Sequence, residues 1–276
     1  MDLTDPHQLK IALELAGLRA HKSLGQHFLV DRDSLNAVMA AGELAPSDTI
    51  VEIGPGLGVM TAELTARASK VIAVELDSNL AELLQRDKPA NLEVRHQDVK
   101  DLNINELPPG YKVIANIPYY LTSAIFRLFL ESQNRPKVMS VLVQKEVAQR
   151  ITAVPGKMTV LALSVQYYGR PSYVQTVERY KFWPAPKVDS AILKIEVYDR
   201  PAFEADVNRL FRLIKAGFGE RRKMLKNSLA GGLNTTIELA AELINAAKLP
   251  PTARAQELSL DDWQRLYAQA IGRQLI

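Results

Sequence analysis

Two short stretches carry residue types that could do chemistry together. The first, Asn116-Ile117-Pro118-Tyr119, follows the apolar run Val113 to Ala115. Methylating an exocyclic adenine nitrogen is difficult, because its lone pair is delocalised into the ring. An Asn side-chain oxygen and a backbone carbonyl held rigid by Pro118 can accept both amino hydrogens and favour a more tetrahedral nitrogen. Tyr119 offers a stacking face for a base taken out of its helix. Such a site works by positioning and electrostatics and needs no strong general base. The same residue types also build an ordinary turn, with Asn and Pro as turn formers and Tyr in the core.

The second stretch is Gly54-Pro55-Gly56-Leu57-Gly58, within Val51 to Thr61. A glycine-rich turn between a strand and a helix lets a ligand approach the backbone. A dinucleotide fingerprint would place its third glycine or alanine where Val59 stands, and no Walker Gly-Lys-Ser/Thr follows. That leaves a nucleoside-like ligand without a pyrophosphate, which S-adenosylmethionine fits, or a turn that binds nothing. Glu75 ends the next apolar run, about twenty residues on, where an acid can accept from both ribose hydroxyls. Asp98, in Gln97-Asp98-Val99, ends the third run and could accept from an adenine amino group. Either acid alone serves as well for a cap or a turn. Phe182, ahead of Pro184, could cover the second face of the base or fill the core. Gln26, His27 and Leu29 could fold over the cofactor as a lid; His27 alone reads as structural or RNA-facing rather than catalytic. Gln144-Lys145-Glu146 reads as support or a helix start.

An α/β sheet would bring these residues to one edge. Strands are expected at Thr49 to Ile53, Lys70 to Leu76, Leu92 to Arg95, Lys112 to Ala115 and Val138 to Val143. Helices fit between them at Val59 to Ala68, Asn79 to Arg86 and Ser123 to Ser132, the alternation of a mostly parallel, helix-covered sheet. Pro6 to Leu18, and Asp31 to near Gly42, read as helices ahead of it. Glu146 to Thr152 and Thr159 to Tyr168 read as further helices. Tyr173 to Glu178 and Ala191 to Val197 read as a closing hairpin joined through the proline-rich Phe182 to Pro186. From Ala202 onward the pattern is helical. The expected domains are 1–199 and 200–276.

Composition excludes several chemistries. The chain has 276 residues, 47% hydrophobic and 24% charged, with no cysteine. Disulfides, zinc–thiolate sites and a cysteine nucleophile are therefore out. The four histidines, His7, His21, His27 and His96, lack metal-ligand spacing. No apolar run approaches the roughly 20 residues of a membrane span, and the acidic first residues have no signal-peptide core. A cytoplasmic protein is expected. Net charge is only +3, but Arg209, Arg212, Lys215, Arg221, Arg222, Lys223 and Lys226 crowd one stretch. That density suits phosphate contacts or, equally, a solvated helix face.

In order and spacing these landmarks resemble the ribosomal RNA adenine N6,N6-dimethyltransferase family, in particular its bacterial small-subunit (16S) type. The resemblance covers nearly the whole chain. It rests on Leu24 to Leu29, Glu52 to Gly58, Glu75-Leu76-Asp77, Gln97-Asp98, Asn116 to Tyr119 and Gln144 to Val147. Further on it rests on Phe182 to Ser190, Phe218 to Lys223 and Arg254 to Ser259. It implies a Rossmann-like S-adenosylmethionine-dependent sheet with a small all-α C-terminal domain gripping rRNA. The implied reaction is four methyl transfers to two adjacent adenosines in the 3′-terminal hairpin of 16S rRNA, late in ribosome assembly. Asn116, Pro118, Tyr119 and Phe182 would handle the base. The cofactor set would be Gln26, His27, Leu29, Glu52, Gly54, Gly56, Gly58, Glu75, Leu76, Asp98, Val99 and Asn116. Arg221, Arg222 and Lys223 would meet RNA, the protein acting as a monomer away from any membrane.

Two positions depart from the pattern. His27 stands where the family usually has Asn, and Met158-Thr159 where it usually has Tyr-Gly. A related group methylates one large-subunit (23S) adenosine and confers macrolide resistance. It shares the cofactor and Asn-Ile-Pro-Tyr features but generally lacks the Phe-Gly-x-Arg-Arg-Lys and Arg-Ala-x-Glu-Leu-Ser stretches matched here. A third possibility is a small-subunit assembly checkpoint in which methylation is incidental.

Overall fold

Apolar runs buried on both faces form a central sheet. The computed structural model describes residues 1–20, 25–86, 88–220 and 222–276. These form two compact units, Met1–Ala148 with Arg170–Asp199, and Gln149–Gly169 with Arg200–Ile276. The first unit contains α1 (Pro6–Leu15), β1 (Phe28–Leu29), α2 (Arg32–Ala41), β2 (Thr49–Ile53), α3 (Val59–Thr65), β3 (Lys70–Glu75), α4 (Ser78–Arg86), β4 (Leu92–His96), β5 (Lys112–Asn116), α5 (Thr122–Leu130) and β6 (Val138–Gln144). Then α6 (Lys145–Ile151) leads into the second unit, which holds α7 (Val160–Gln166). The chain returns for β7 (Gly169–Val177), β8 (Phe182–Trp183) and β9 (Ser190–Val197). The second unit finishes with α8 (Val207–Phe218), α9 (Leu225–Gly232), α10 (Ile237–Ala246) and α11 (Leu260–Gly272).

Seven strands lie in the order β4-β3-β2-β5-β6-β9-β7. β4 through β6 in that order are parallel, and β9 runs antiparallel to β6. Ile50, Val51, Val113, Ile114, Met139, Val141 and Leu142 are all fully buried, as helix-covered parallel strands require. Each contributes about 1.5–3 kcal/mol by leaving water. On one face Leu35, Val38 and Met39 of α2 pack with Ile50, Ile114, Leu142 and Ile192. Helices α1 and α2 start where they do because Asp5 and Asp31 accept the first free N–H groups, from His7 and Gln8 and from Ser34.

Register places the chemistry. Ile53 lies opposite Val74 on one side and Ala115 on the other. The glycine loop after β2, Glu75 at the end of β3 and Asn116 at the end of β5 therefore emerge at one carboxyl edge. The chain runs outward from β2 to β4 and then resumes at β5 on β2's other side. Strand order reverses between β2 and β5, the crevice where open α/β sheets bind ligands.

Three expectations need adjustment. A second, two-stranded sheet joins β1 to β8 antiparallel, with Phe28 opposite Trp183 and Leu29 opposite Phe182. Val30 N–H extends this ladder to the Lys181 carbonyl at 2.8 Å. The segment read as a proline-rich turn is thus partly strand. Helix α1 stops at Leu15 rather than Leu18, the chain turning at Gly17 with φ +67°. Residues 149–169, read as part of the first domain, pack with the C-terminal helices instead. The cause is tertiary: the Tyr167 hydroxyl donates to Phe203 O at 2.9 Å, and Gly156 and Met158 N–H both reach Gln256 O. Within that unit Trp263 is fully buried and its ring stacks on Phe218. No helix among the described residues is long and apolar enough to cross a membrane.

Candidate active site

The loop after β2 takes three left-handed turns, at Gly54 (φ +64°), Gly56 (φ +60°) and Gly58 (φ +84°). A side chain on Gly54 would meet only open space, whereas one on Gly56 would strike the Phe28 ring at 2.8 Å. Backbone is therefore presented to the crevice, roofed by the β1 segment. Glu75 anchors the arrangement from the neighbouring strand. Its Oε2 accepts the Gly56 N–H at 3.0 Å and its Oε1 the Asp77 N–H at 2.9 Å. Burial raises its pKa, against those two bonds. Asp98 ends the next strand, where its Oδ1 accepts the Lys100 N–H and its Oδ2 pairs with the Lys100 ammonium at 3.0 Å. Burial alone would raise the Asp98 carboxyl; the Lys100 contacts outweigh it and hold the pKa low.

Asn116 stands across the crevice. Its Nδ2 donates to the His27 carbonyl at 2.7 Å, so Oδ1 is the atom left to accept from a ligand. Ile117 N–H is tied to Leu142 O, and Leu121 N–H to Pro118 O, which stiffens a tight turn at Tyr119–Leu121. The Tyr119 hydroxyl shares a 2.7 Å bond with Ser190 Oγ, and burial raises its pKa, so the phenol stays protonated. Its ring lies beside that of His27, centroids 5.9 Å apart. The His27 Nδ1 lies 2.6 Å from Pro184 O. A carbonyl only accepts, so that nitrogen carries the proton. Gln26 Nε2 reaches Asp77 Oδ2 at 3.4 Å.

One crevice is thus lined by Gln26, His27, Leu29, Gly54, Gly56, Glu75, Leu76, Asp98, Val99, Asn116, Pro118 and Tyr119. Three expected residues are not there. Phe182 is only 3% exposed and packs in the sheet core with Leu29, the residue it pairs with, so it does not itself line the crevice. Gly58 is the turn residue before α3. Glu52 sits behind the loop, fully buried, its Oε2 accepting from the Thr61 hydroxyl at 2.6 Å. Of the RNA-facing candidates, Arg222 and Lys223 are exposed in the second unit, Lys223 paired with Glu220; Arg221 lies outside the described residues. Sequence reading missed Tyr120 and Gln97, which also line the crevice. The doubled tyrosine and the residue before Asp98 were the available signals.

Burial, with the Glu75 charge adding to it, pushes the Glu52 pKa up to about 8. A folded pKa above the unfolded value gives stability that is complete below about pH 4.5 and is lost as pH rises towards about 8. Glu52→Gln keeps an acceptor for Thr61 without the charge. It is expected to melt close to wild type near pH 5 and several degrees higher, roughly, near pH 8.5. Thermal melts at both pH values test this; the same difference at each would refute the assignment.

A model of the family described as ribosomal RNA adenine dimethylase matches residues 17–270. The chain belongs to that family. The adenine dimethylase shares 44% identity over 272 residues with ribosomal RNA small subunit methyltransferase A of Dehalococcoides mccartyi strain CBDB1, covering 96% of this chain and 93% of the relative. The protein of that name from Alkaliphilus metalliredigens is 35% identical, with 99% of each chain covered. Among solved structures, a dimethyladenosine transferase from Plasmodium falciparum has the same fold, with a TM-score of 0.80 at 24% identity over 90% of this chain and 98% of that one. The 23S rRNA methyltransferase ErmE is similar at a TM-score of 0.71 and 27% identity, over 88% and 98%.

The adenine dimethylase is therefore an S-adenosylmethionine-dependent rRNA methyltransferase. The crevice suits that cofactor: an open glycine face, a carboxylate at the end of β3 fixed by two N–H groups, and apolar Leu76 and Val99 beside it.

Proposed function

We propose that this adenine dimethylase modifies two adjacent adenosines in the 3′-terminal hairpin of small-subunit rRNA, late in ribosome biogenesis. The observation that carries the reading is the Asn116 amide, locked by His27 so that its oxygen is the acceptor, beside Tyr119 at the switch point. The 44% identical relative named for the small subunit supports the choice of RNA.

When bound, S-adenosylmethionine supplies an electrophilic methyl group on a sulfonium. Glu75 would hold its ribose hydroxyls, Gly54 and Gly56 its backbone-facing side, and Asp98 its adenine amino group. Tyr119 stacks on the extruded base. Asn116 Oδ1 and the Ile117 carbonyl accept the two amino hydrogens, turning the nitrogen lone pair towards the methyl carbon. With the methyl donor bound, that lone pair would take the methyl group in place of the broken C–S bond, and the nitrogen would then release a proton to solvent. The protonated Tyr119 phenol, bonded to Ser190, takes no part in the proton's departure.

In this reading residues 200–276 grip rRNA through Arg221, Arg222, Lys223 and the neighbouring basic side chains. Arg222→Ala with Lys223→Ala is expected to weaken binding to small subunits and to flatten its salt dependence by about 0.7–0.9 per lost phosphate contact. An unchanged slope in salt titrations returns that stretch to a solvated face. The protein works as a cytoplasmic monomer, which sedimentation of the purified chain tests.

The deciding assay offers labelled S-adenosylmethionine with small subunits from a strain lacking the modification, against large subunits as control. Reverse-transcription stops map the product, since N6-dimethylation blocks pairing. Label at two adjacent small-subunit adenosines supports the proposal. Label in large-subunit rRNA moves the chain to the 23S group, and tight binding without label leaves a checkpoint role.

A further inference from the structure

The rim of the crevice carries a second tyrosine beside Tyr119. Tyr120 is 61% exposed and lines the same crevice as Tyr119. Large exposed aromatics beside a nucleic-acid site commonly serve as stacking platforms.

Its placement is fixed rather than incidental. Tyr120 is the middle residue of the Tyr119–Leu121 turn, held by Leu121 N–H to Pro118 O at 2.9 Å and by the Thr122 hydroxyl to Tyr119 O at 3.0 Å. One edge of its ring passes over Gly25, where an added Cβ would already touch Cδ1 and Cε1 at 3.6 Å. The ring therefore rests on bare backbone with much of its surface open. A side chain with two torsions, on a stiff turn, loses little freedom when a base covers it. Lys100, ion-paired at 3.0 Å with the crevice-lining Asp98, puts an exposed cation beside the crevice that could meet a phosphate.

We propose that Tyr120 stacks on the nucleotide next to the one held by Tyr119, so that one adenosine enters the crevice while its neighbour is held at the rim. This rests on the reading of the crevice as an adenosine site in small-subunit rRNA. It makes Tyr120 a specificity residue for the adjacent pair: the reaction leaves one methylated base beside an unmodified one, and the rim holds the waiting base through its face.

The test uses small subunits reconstituted with rRNA whose ligated synthetic 3′ segment carries the neighbouring adenosine either intact or abasic. Methylation of the remaining adenosine is measured with wild type, Tyr120→Ala and Tyr120→Phe. On intact RNA Tyr120→Ala should raise KM about 5- to 100-fold with kcat nearly unchanged, while Tyr120→Phe stays near wild type. The abasic substrate should raise KM for wild type by a similar factor and leave Tyr120→Ala where it was. The same ratio of Tyr120→Ala KM to wild-type KM on both substrates, whether raised or near one, overturns the stacking proposal. Absence of wild-type methylation on intact subunits is a separate result: it removes the small-subunit reading and this inference with it.

Discussion

Asn116→Ala is expected to lower kcat for methyl transfer by about 10²- to 10³-fold, the usual effect of removing one preorganised hydrogen-bonding group at a reacting centre. Binding of S-adenosylmethionine and of small subunits should change far less, since Asn116 would act on the nitrogen as its geometry changes. Asn116→Asp separates the two roles of the amide. It keeps an acceptor oxygen but loses the Nδ2–H that donates to the His27 carbonyl at 2.7 Å. It also sets a carboxylate against that carbonyl. The variant should therefore also be slow, because its oxygen is no longer held in place. Single-turnover kinetics on small subunits, with cofactor affinity measured alongside, give both numbers. Undiminished kcat in Asn116→Ala would refute the role given to this residue.

Glu75→Ala should weaken S-adenosylmethionine binding by at least about 10²-fold. The carboxylate accepts from Gly56 and Asp77 N–H, so its loss frees the loops after β2 and β3 together. It also removes the acceptor for the ribose hydroxyls. Hydrogen bonds to charged groups contribute about 1.5–3 kcal/mol each, so two of them account for the expected loss. Glu75→Gln should fall between, keeping one acceptor oxygen while turning an NH₂ towards a backbone donor. A pH dependence follows. Burial raises the Glu75 pKa, and the hydroxyl donors need the ionised form. Affinity should be present above the raised pKa and lost as pH falls through it, at a higher pH than for an exposed glutamate. Isothermal titration across pH measures this; an unchanged Kd in Glu75→Ala would show that the ribose is held elsewhere.

The parallel strands were legible because their apolar runs end in glycine, acid or Asn-Pro signals that also carry the chemistry. β2 matches its expected span residue for residue, and β5 ends one residue later, on Asn116 itself. What sequence did not disclose is set by partners far along the chain. β1 and β8 are two residues each, too short to show a period, and exist only because they pair. Phe182 reads locally as an aromatic before a proline; its burial follows from lying opposite Leu29. Glu52 belongs to the glycine-loop signature, yet its side chain finds Thr61 on the following helix rather than the crevice. Residues 149–169 looked like a continuation of the sheet domain, and it is Phe203 and Gln256 that claim them. Local pattern names the elements, and long-range pairing decides which way their side chains turn.

The roof of the crevice carries a timing consequence. His27 closes onto Pro184, a partner 157 positions away, and the β1–β8 ladder joins the same two regions. A nascent chain leaving the exit tunnel already holds the glycine loop, Glu75 and Asn116 while Pro184 is still unmade. At 5–20 residues per second, roughly several seconds separate those events. Until then Phe28 and Leu29 lack their β8 partners, and the roof rests on contacts such as those of Gln26 with Asp77 and of the His27 carbonyl with Asn116. The roof of the crevice is thus finished well after its floor, once about two thirds of the chain has been made.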